Sequence, residues 1–414
     1  GYHNFAEVSL VPKMADSPQQ VLEFLVDLAA RAKPFAERDL AELKAFAVGE
    51  LGLNDMQPWD LAWASEKLKH ARYSFSDEEV RQYFPEPKVL SGLFKVIENL
   101  YGVTIRADEA PMWHQDVRFF RIERGSEQVG QFYLDLYARD TKRGGAWMGE
   151  CQSRWARPDG LRLPVAYIVC NATPPVGAQP ALMTFDEVET LFHEFGHLLH
   201  HAFSEVPVES LGGTNVAWDF VELPSQIMEN FCWERVSLDL FARHYETGEA
   251  IPEELFQKML GARTYRAASA QMRQLGFATM DLRLHRELDP KTLTPDAMIA
   301  FARDVLEAHS ATKLPNDYGM VCGFTHLFAS PTAYASGYYS YKWAEVLDAD
   351  AFTRFAGENL FDRAVGLAFR HEILARGNSR DPAESYEAFM GRGPDIEPLF
   401  ARAGIEPPAA TGGR

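Results

Sequence analysis

Five residues, His193-Glu194-Phe195-Gly196-His197, dictate a helix. Residues four apart project from one helix face, so the two imidazoles can reach one ion only if the stretch from Thr184 to Phe203 is a single helix. Glu194 then sits beside them, placed to activate an attacking water. A divalent ion held there would lower the pKa of water from ~15.7 to ~7, which makes hydroxide available at neutral pH. A chance H-E-x-x-H on a charged helix is the competing reading. Apolar flanks on both sides, a glycine that permits close backbone approach, and a candidate third ligand count against it.

That third ligand is Glu222, in Trp218-Asp219-Phe220-Val221-Glu222-Leu223-Pro224-Ser225-Gln226. It lies 25 residues beyond His197, enough for a loop and a return helix, read here as residues 219–241. Pro224 suits the first turn of that helix. Glu229, seven residues further and on the same face, reads either as an acceptor for the free N–H of a ligand histidine or as a solvated carboxylate. His200 is ~10 Å along the helix from His193, too far to share a tetrahedral ion. His201 is also read as packing or hydrogen bonding nearby. The pattern H-E-x-x-H-x-x-G-x-x-H is excluded, because its glycine and third histidine positions hold His200 and Phe203. A carboxylate third ligand, the gluzincin arrangement, is what remains.

A second cluster runs from His326 to Trp343. Read as one helix, it puts Tyr334, Tyr338 and Tyr341 at i, i+4 and i+7. Such phenols, with His326, could donate to a developing oxyanion, where loss of one donor typically costs ~10²–10³ in rate. An aromatic stripe at helical spacing can equally be core packing, and Tyr339 and Trp343 are assigned to packing.

The rest of the chain fits a mainly α fold. The apolar residues Val21, Leu22, Leu25 and Leu28, then Leu40, Leu43, Phe46 and Leu51, recur at helical intervals and predict two helices separated by Pro34. Further helices are predicted at 60–73 and 88–101, with Ser76 and Glu79 as a capping box. Residues 117–138 read as a β-hairpin broken at Gly125-Ser126, and 164–170 as a third strand. We divide the chain into a helical part, 1–115, a region carrying the metal-site motifs, 116–404, and a flexible tail, 405–414.

The 414 residues carry 41 Lys and Arg against 59 Asp and Glu, a net charge of −18. That balance argues against nucleic-acid binding. No run of about 18 apolar residues could cross a bilayer, so no membrane association is expected. Four scattered cysteines without a C-x-x-C pair suit free thiols in a reducing, cytoplasmic setting. The start, Gly1-Tyr2-His3-Asn4, has neither a charged nor an apolar leader-like region, which fits the same setting, and the lack of an initiating Met suggests a processed or excised form.

With these residues in view, the chain resembles the oligopeptidase A and thimet oligopeptidase family of zinc metallopeptidases, from about Tyr2 to Phe400. The motifs that carry the resemblance are Phe132-Tyr133-Leu134-Asp135-Leu136-Tyr137-Ala138-Arg139, Lys142-Arg143-Gly144-Gly145-Ala146-Trp147-Met148, Phe192 to His197, Val221 to Gln226 and the tyrosine segment. The resemblance implies a multi-helix zincin-type domain with a small β-sheet and a deep peptide channel, holding one Zn²⁺. It implies His193, His197 and Glu222 as ligands, Glu194 as general base, and His326, Tyr334 and Tyr341 as transition-state contacts. Tyr338 and Gly337 are implied on the substrate side, with Tyr167 in a strand, 164–170, offered as an edge to the peptide backbone. The expected substrates are short unfolded peptides.

Two departures stand out. Family members carry a long helical N-terminal portion forming the other channel wall, and this chain begins after most of it. A monomer is expected, with that portion or a partner chain as the source of the other wall. The stretch Ala329-Ser330-Pro331-Thr332-Ala333 stands where the family is usually glycine-rich, and proline would stiffen it. Manganese or cobalt could substitute at such a site. Two other readings are a gluzincin aminopeptidase, for which Gln226 to Asn230 is an imperfect, misplaced G-x-M-E-N, and a peptide binder without turnover.

Overall fold

The structure, a computed structural model, describes residues 1–405 apart from 75, 329–333, 356 and 358–359. The tail read at 405–414 and the proline-containing stretch 329–333 therefore lie, all but Ile405, outside the described residues.

The chain begins with helices α1 (Phe5–Leu10), α2 (Pro18–Leu51), α3 (Leu61–Tyr73), α4 (Asp77–Arg81) and α5 (Glu86–Tyr101). Strands follow: β1 (Thr104–Ala107), β2 (Arg118–Arg124), β3 (Glu127–Tyr137), β4 (Trp147–Gln152), β5 (Trp155–Arg157), β6 (Gly160–Arg162) and β7 (Val165–Ala172). The remainder is helical: α6 (Phe185–Ala202), α7 (Trp218–Val221), α8 (Leu223–Asn230), α9 (Arg235–Leu238), α10 (Glu253–Arg263), α11 (Ala267–Glu287) and α12 (Pro295–Ala308). Last come α13 (Thr325–Phe328), α14 (Ser340–Phe352), α15 (Arg363–Phe369), α16 (Pro382–Met390) and α17 (Glu397–Arg402).

The expected break at Pro34 does not occur. Helix α2 runs through it, because Val21, Leu25, Leu28, Ala32, Ala36 and Leu40 are all buried and the helix packs along α11. Burying that stripe outweighs the one backbone bond the proline removes. Ser76 caps α4, accepting from the Glu79 N–H at 3.2 Å, but among the described residues no reciprocal bond to the Glu79 carboxylate completes the expected capping box.

The hairpin forms, with β2 and β3 antiparallel and Gly125 in the left-handed conformation at the turn. The five-stranded sheet has the order β1-β2-β3-β7-β4, with β3 and β7 parallel and the other pairs antiparallel. This corrects the reading of 164–170 as an edge: β7 is flanked on both sides, and the edge beside it is β4. The continuous apolar run of β7, Val165 to Cys170, is what an interior strand requires, while β4 mixes Gly149, Glu150 and Gln152 with Trp147 and Met148 in no clean period and hides from a hydropathy scan.

Among the described residues, two large apolar cores result, beside a small cluster of Leu43, Ala64 and Leu68. One joins α5, the sheet, α6, α8 and the C-terminal helices. The other joins α1, α2, α11, α12 and α14.

Candidate active site

Helix α6 opens with a capping box: Thr184 Oγ1 accepts the Glu187 N–H at 3.2 Å and Glu187 Oε2 accepts the Thr184 N–H at 2.8 Å. Val188, Leu191, Phe192, Phe195, Leu198 and Leu199 fasten the helix to the core. His193 and His197 project from the opposite side, their rings 5.0 Å apart and nearly perpendicular.

Against α6 lies α8, and Gly196 permits the approach: a Cβ there would run into the Pro224 carbonyl and the Ser225 Cα. Glu222 sits at the joint between α7 and α8, not inside the single helix 219–241 that we expected. Pro224, lacking an N–H, can only begin a helix, so the chain breaks at Glu222 and starts again. It breaks once more at Phe231, where α8 passes into a 3₁₀ turn. The joint turns the Glu222 carboxylate toward the imidazoles, with Oε2 at 3.3 Å from His193 Nε2 and 3.1 Å from His197 Nε2. Ligand atoms of all three residues lie within 4.8 Å of one another, which fits a single ion.

The surroundings orient these groups. Ser225 Oγ donates to Glu222 Oε2 at 2.9 Å, and Glu229 Oε1 lies 2.7 Å from His193 Nδ1. Burial alone would push His193 down, yet the Glu222 and Glu229 carboxylates raise it to about 10. Burial would likewise raise Glu222, but the two histidines hold it well below the ordinary range. Negative charge thus exceeds what two imidazoles neutralise, as a cation site requires.

Glu194 is 6% exposed and its Oε2 has no hydrogen-bond partner among the described residues. Burial raises its carboxyl, against the pull of His193 and His197, and it accepts a backbone hydrogen bond from Met148 on β4. An orphaned buried acceptor beside this donor set fits a divalent ion with a water between them. His200 is fully buried, its pKa pushed down to about 3 by burial, so it packs as a neutral ring. His201 reaches the Gln152 carbonyl at 3.1 Å and Glu150 at 3.3 Å. Neither joins the ligand cluster.

The single tyrosine helix is also corrected. The short α13 carries His326, residues 334–339 form a turn with Ser336 at φ 54°, and α14 begins only at Ser340. A left-handed residue cannot continue a helix. The rings nevertheless converge. His326 lies 5.9 Å from Tyr334, 5.9 Å from Tyr338 and 6.5 Å from Tyr341, and Tyr334 stacks on Tyr341 at 5.3 Å. The Tyr334 and Tyr341 hydroxyls hydrogen-bond each other, and both feel the Glu222 carboxylate. Burial pushes the Tyr334 and Tyr338 phenols up to about 12, so they remain donors at neutral pH. Gly337 closes the turn, its N–H donating to the Tyr334 carbonyl at 2.7 Å. Tyr167, on β7, has contacts with Trp113 and across Gly149 rather than with the triad.

Sequence reasoning gave no role to Trp218, whose ring meets Tyr334 edge-on at 4.5 Å, or to β4. Trp218 lies four positions before Glu222, a spacing that could have drawn attention to it.

A sheet-backed helix bearing two histidines, met by a carboxylate from a second helical segment, defines a metallopeptidase-like architecture. Solved structures with a similar fold include PZ peptidase A with inhibitor 2, with TM-score 0.57 and 16% identity over 98% of this chain and 60% of that one. Another is the M32 carboxypeptidase from Deinococcus radiodurans R1, with TM-score 0.56 and 15% identity over 98% and 71%. A match to Peptidase family M3 covers residues 1–405, and the chain belongs to that family. It is 48% identical over 414 residues to oligopeptidase A of Escherichia coli (strain K12), and 45% identical over 409 residues to oligopeptidase A of Haemophilus influenzae. Dipeptidyl carboxypeptidase of E. coli is 33% identical. In each of these matches 98% of this chain is covered, and it spans 60%, 60% and 59% of the relatives' lengths.

Proposed function

We propose that this chain is the catalytic part of a zinc endopeptidase that hydrolyses short, unfolded oligopeptides. The observation that carries the reading is the convergence of His193, His197 and Glu222 with Glu194 in hydrogen-bonding reach of the edge strand. His193, His197 and Glu222 would hold one zinc. When bound, the ion supplies Lewis acidity toward the scissile carbonyl and toward water.

The chain's own groups do the rest. Glu194 takes the proton of the attacking water and returns it to the leaving amine, which its raised affinity for protons suits. His326, Tyr334 and Tyr341 donate toward the oxygen on which charge develops. Tyr338 and Gly337 line the substrate side, and the peptide backbone pairs with the free edge of β4 in place of the 164–170 strand. Tyr167, whose ring crosses Gly149, supports that edge from behind. Glu229 fixes the His193 ring.

Residues 1–115 supply helices to one channel wall and 116–404 the catalytic region, although both cores cross that boundary. No described helix is long and apolar enough to cross a membrane. Four free thiols and a relative described as a probable cytosolic oligopeptidase A from Arabidopsis thaliana support a cytoplasmic setting, and the chain is read as a monomer. A peptide binder without turnover is not favoured, since the chain keeps a base, a donor set and a metal constellation together.

The test is hydrolysis of an internally quenched peptide by this chain, with Glu194→Gln as control. Turnover should fall at least ~10³-fold in the variant, with zinc near one per chain in both, and a chelator should abolish wild-type cleavage reversibly. Undiminished turnover by Glu194→Gln would sink the reading.

A further inference from the structure

The turn 334–339 has neither a helix nor a strand ladder to hold it, yet it carries Tyr334 and Tyr338 and launches Tyr341. Its backbone is gripped by Asp281 of α11, a side chain 1% exposed. Asp281 Oδ1 accepts the Ser336 N–H at 2.8 Å and Oδ2 accepts the Tyr338 N–H at 2.9 Å. Two turns earlier on the same helix, Gln274 Oε1 accepts the Tyr338 hydroxyl at 2.8 Å.

The arrangement calls for a carboxylate. Two N–H groups two residues apart need two acceptor oxygens, and an amide would set its NH₂ against one of them. A carboxylate this buried is costly unless compensated. His285 Nδ1 lies 3.0 Å from Oδ1, and the Lys13 ammonium contributes from the other side. The segment is braced at its flanks: Ser9 Oγ donates to the Ala335 carbonyl at 2.8 Å, and the Tyr339 hydroxyl donates to Asp219 Oδ2 at 2.7 Å. Within the turn the Gly337 N–H bond to the Tyr334 carbonyl also spans Ser336, and the Asp281 pair grips it from a separate helix, holding a left-handed backbone that would otherwise relax.

We propose that α11 positions the tyrosine turn: Asp281 locks its backbone and Gln274 its central phenol, holding Tyr334, Tyr338 and Tyr341 in register with the His193, His197 and Glu222 cluster. The inference rests on the proposed role of those tyrosines. Register reaches the cluster through short links, since Tyr334 packs on Trp218 and Gln226 Nε2 donates to the Tyr341 carbonyl at 3.3 Å. A displacement of about 1 Å in such a donor set can cost ~10²-fold in rate.

The experiment compares the wild-type chain with Asp281→Asn, measuring kcat and KM on a quenched peptide, zinc content, and amide hydrogen exchange of the 334–341 segment. We expect kcat to fall ~10–100-fold. Zinc content and exchange in α6 should be unchanged, while exchange at 334–339 accelerates at least ~10-fold. Unchanged exchange overturns the proposal, and so does faster exchange with kcat intact, because the clamp would then be structural only. If the wild-type chain cleaves nothing, the endopeptidase reading fails by itself and the exchange arm alone decides the clamp. Should Asp281→Asn not fold, Gln274→Leu frees only the Tyr338 phenol. It should raise KM several-fold, and wild-type kinetics in that variant would overturn the proposal.

Discussion

Gly196 sets how closely α6 and the Glu222 segment approach. Alanine there would gain ~1 kcal/mol in helix propensity, but its Cβ meets backbone atoms of Pro224 and Ser225 that cannot rotate away. Overpacking costs of ~1–3 kcal/mol should outweigh the gain. Gly196→Ala is thus expected to lower the melting temperature and, by pushing Glu222 off the imidazoles, to weaken zinc binding, both measurable in one calorimetric series. Glu229 is the second test at this scale. Its carboxylate meets the nitrogen of His193 that faces away from Glu222, so Glu229→Gln should weaken zinc affinity ~10–100-fold in competition with a chromophoric chelator. An unchanged affinity would return Glu229 to the solvated reading that its spacing also allowed.

At the scale of elements, local signals decided starts and tertiary contacts decided continuations. The Thr184 cap opens α6 where its sequence says it should, and Thr184→Ala should cost ~1 kcal/mol. Spread over so long a chain this is a small shift in melting temperature, so the denaturation midpoint is the better readout, with zinc content unchanged. Helix α2 shows the opposite: its proline is a local stop signal overridden by burial against α11. The tyrosine segment reverses that again, since its helical spacing is cancelled by a left-handed serine that distant partners, Asp281 above all, help hold in place.

For the molecule as a whole, acid should be the weak direction. Burial alone would raise the Asp135 carboxyl, but Arg139, Trp113 and Lys142 hold it well below the ordinary range. Glu150 is lowered to about 2, first by its bond to His201. Groups whose folded pKa is depressed contribute stability that is present above their unfolded values, ~4, and is lost as pH falls through the folded ones. Melting temperatures should therefore drop steeply between pH ~4.5 and ~2. Asp135→Asn, which strands the buried Lys142 ammonium and the partly exposed Arg139 guanidinium, should cost ~3 kcal/mol at neutral pH and flatten the acid limb. A limb of unchanged slope would show that Asp135 is not its source. The same clamp ties the loop entering β4, because Lys142 also donates to the Asp135 and Tyr137 carbonyls at 2.8 Å.

By itself the sequence determined the elements whose information is local: the capped helix that aligns His193 with His197, the hairpin turning at Gly125, and a carboxylate at Glu222 within reach after one loop. Helical period, capping and turn chemistry act over a few residues and need no partner to be read. Tertiary structure alone decided which strand became the edge, whether Pro34 ended a helix, and how three phenols off the helical register still converge. Those outcomes depend on burial and on hydrogen bonds between residues far apart in the chain, such as Asp281 with Ser336, and no window along the sequence contains both partners.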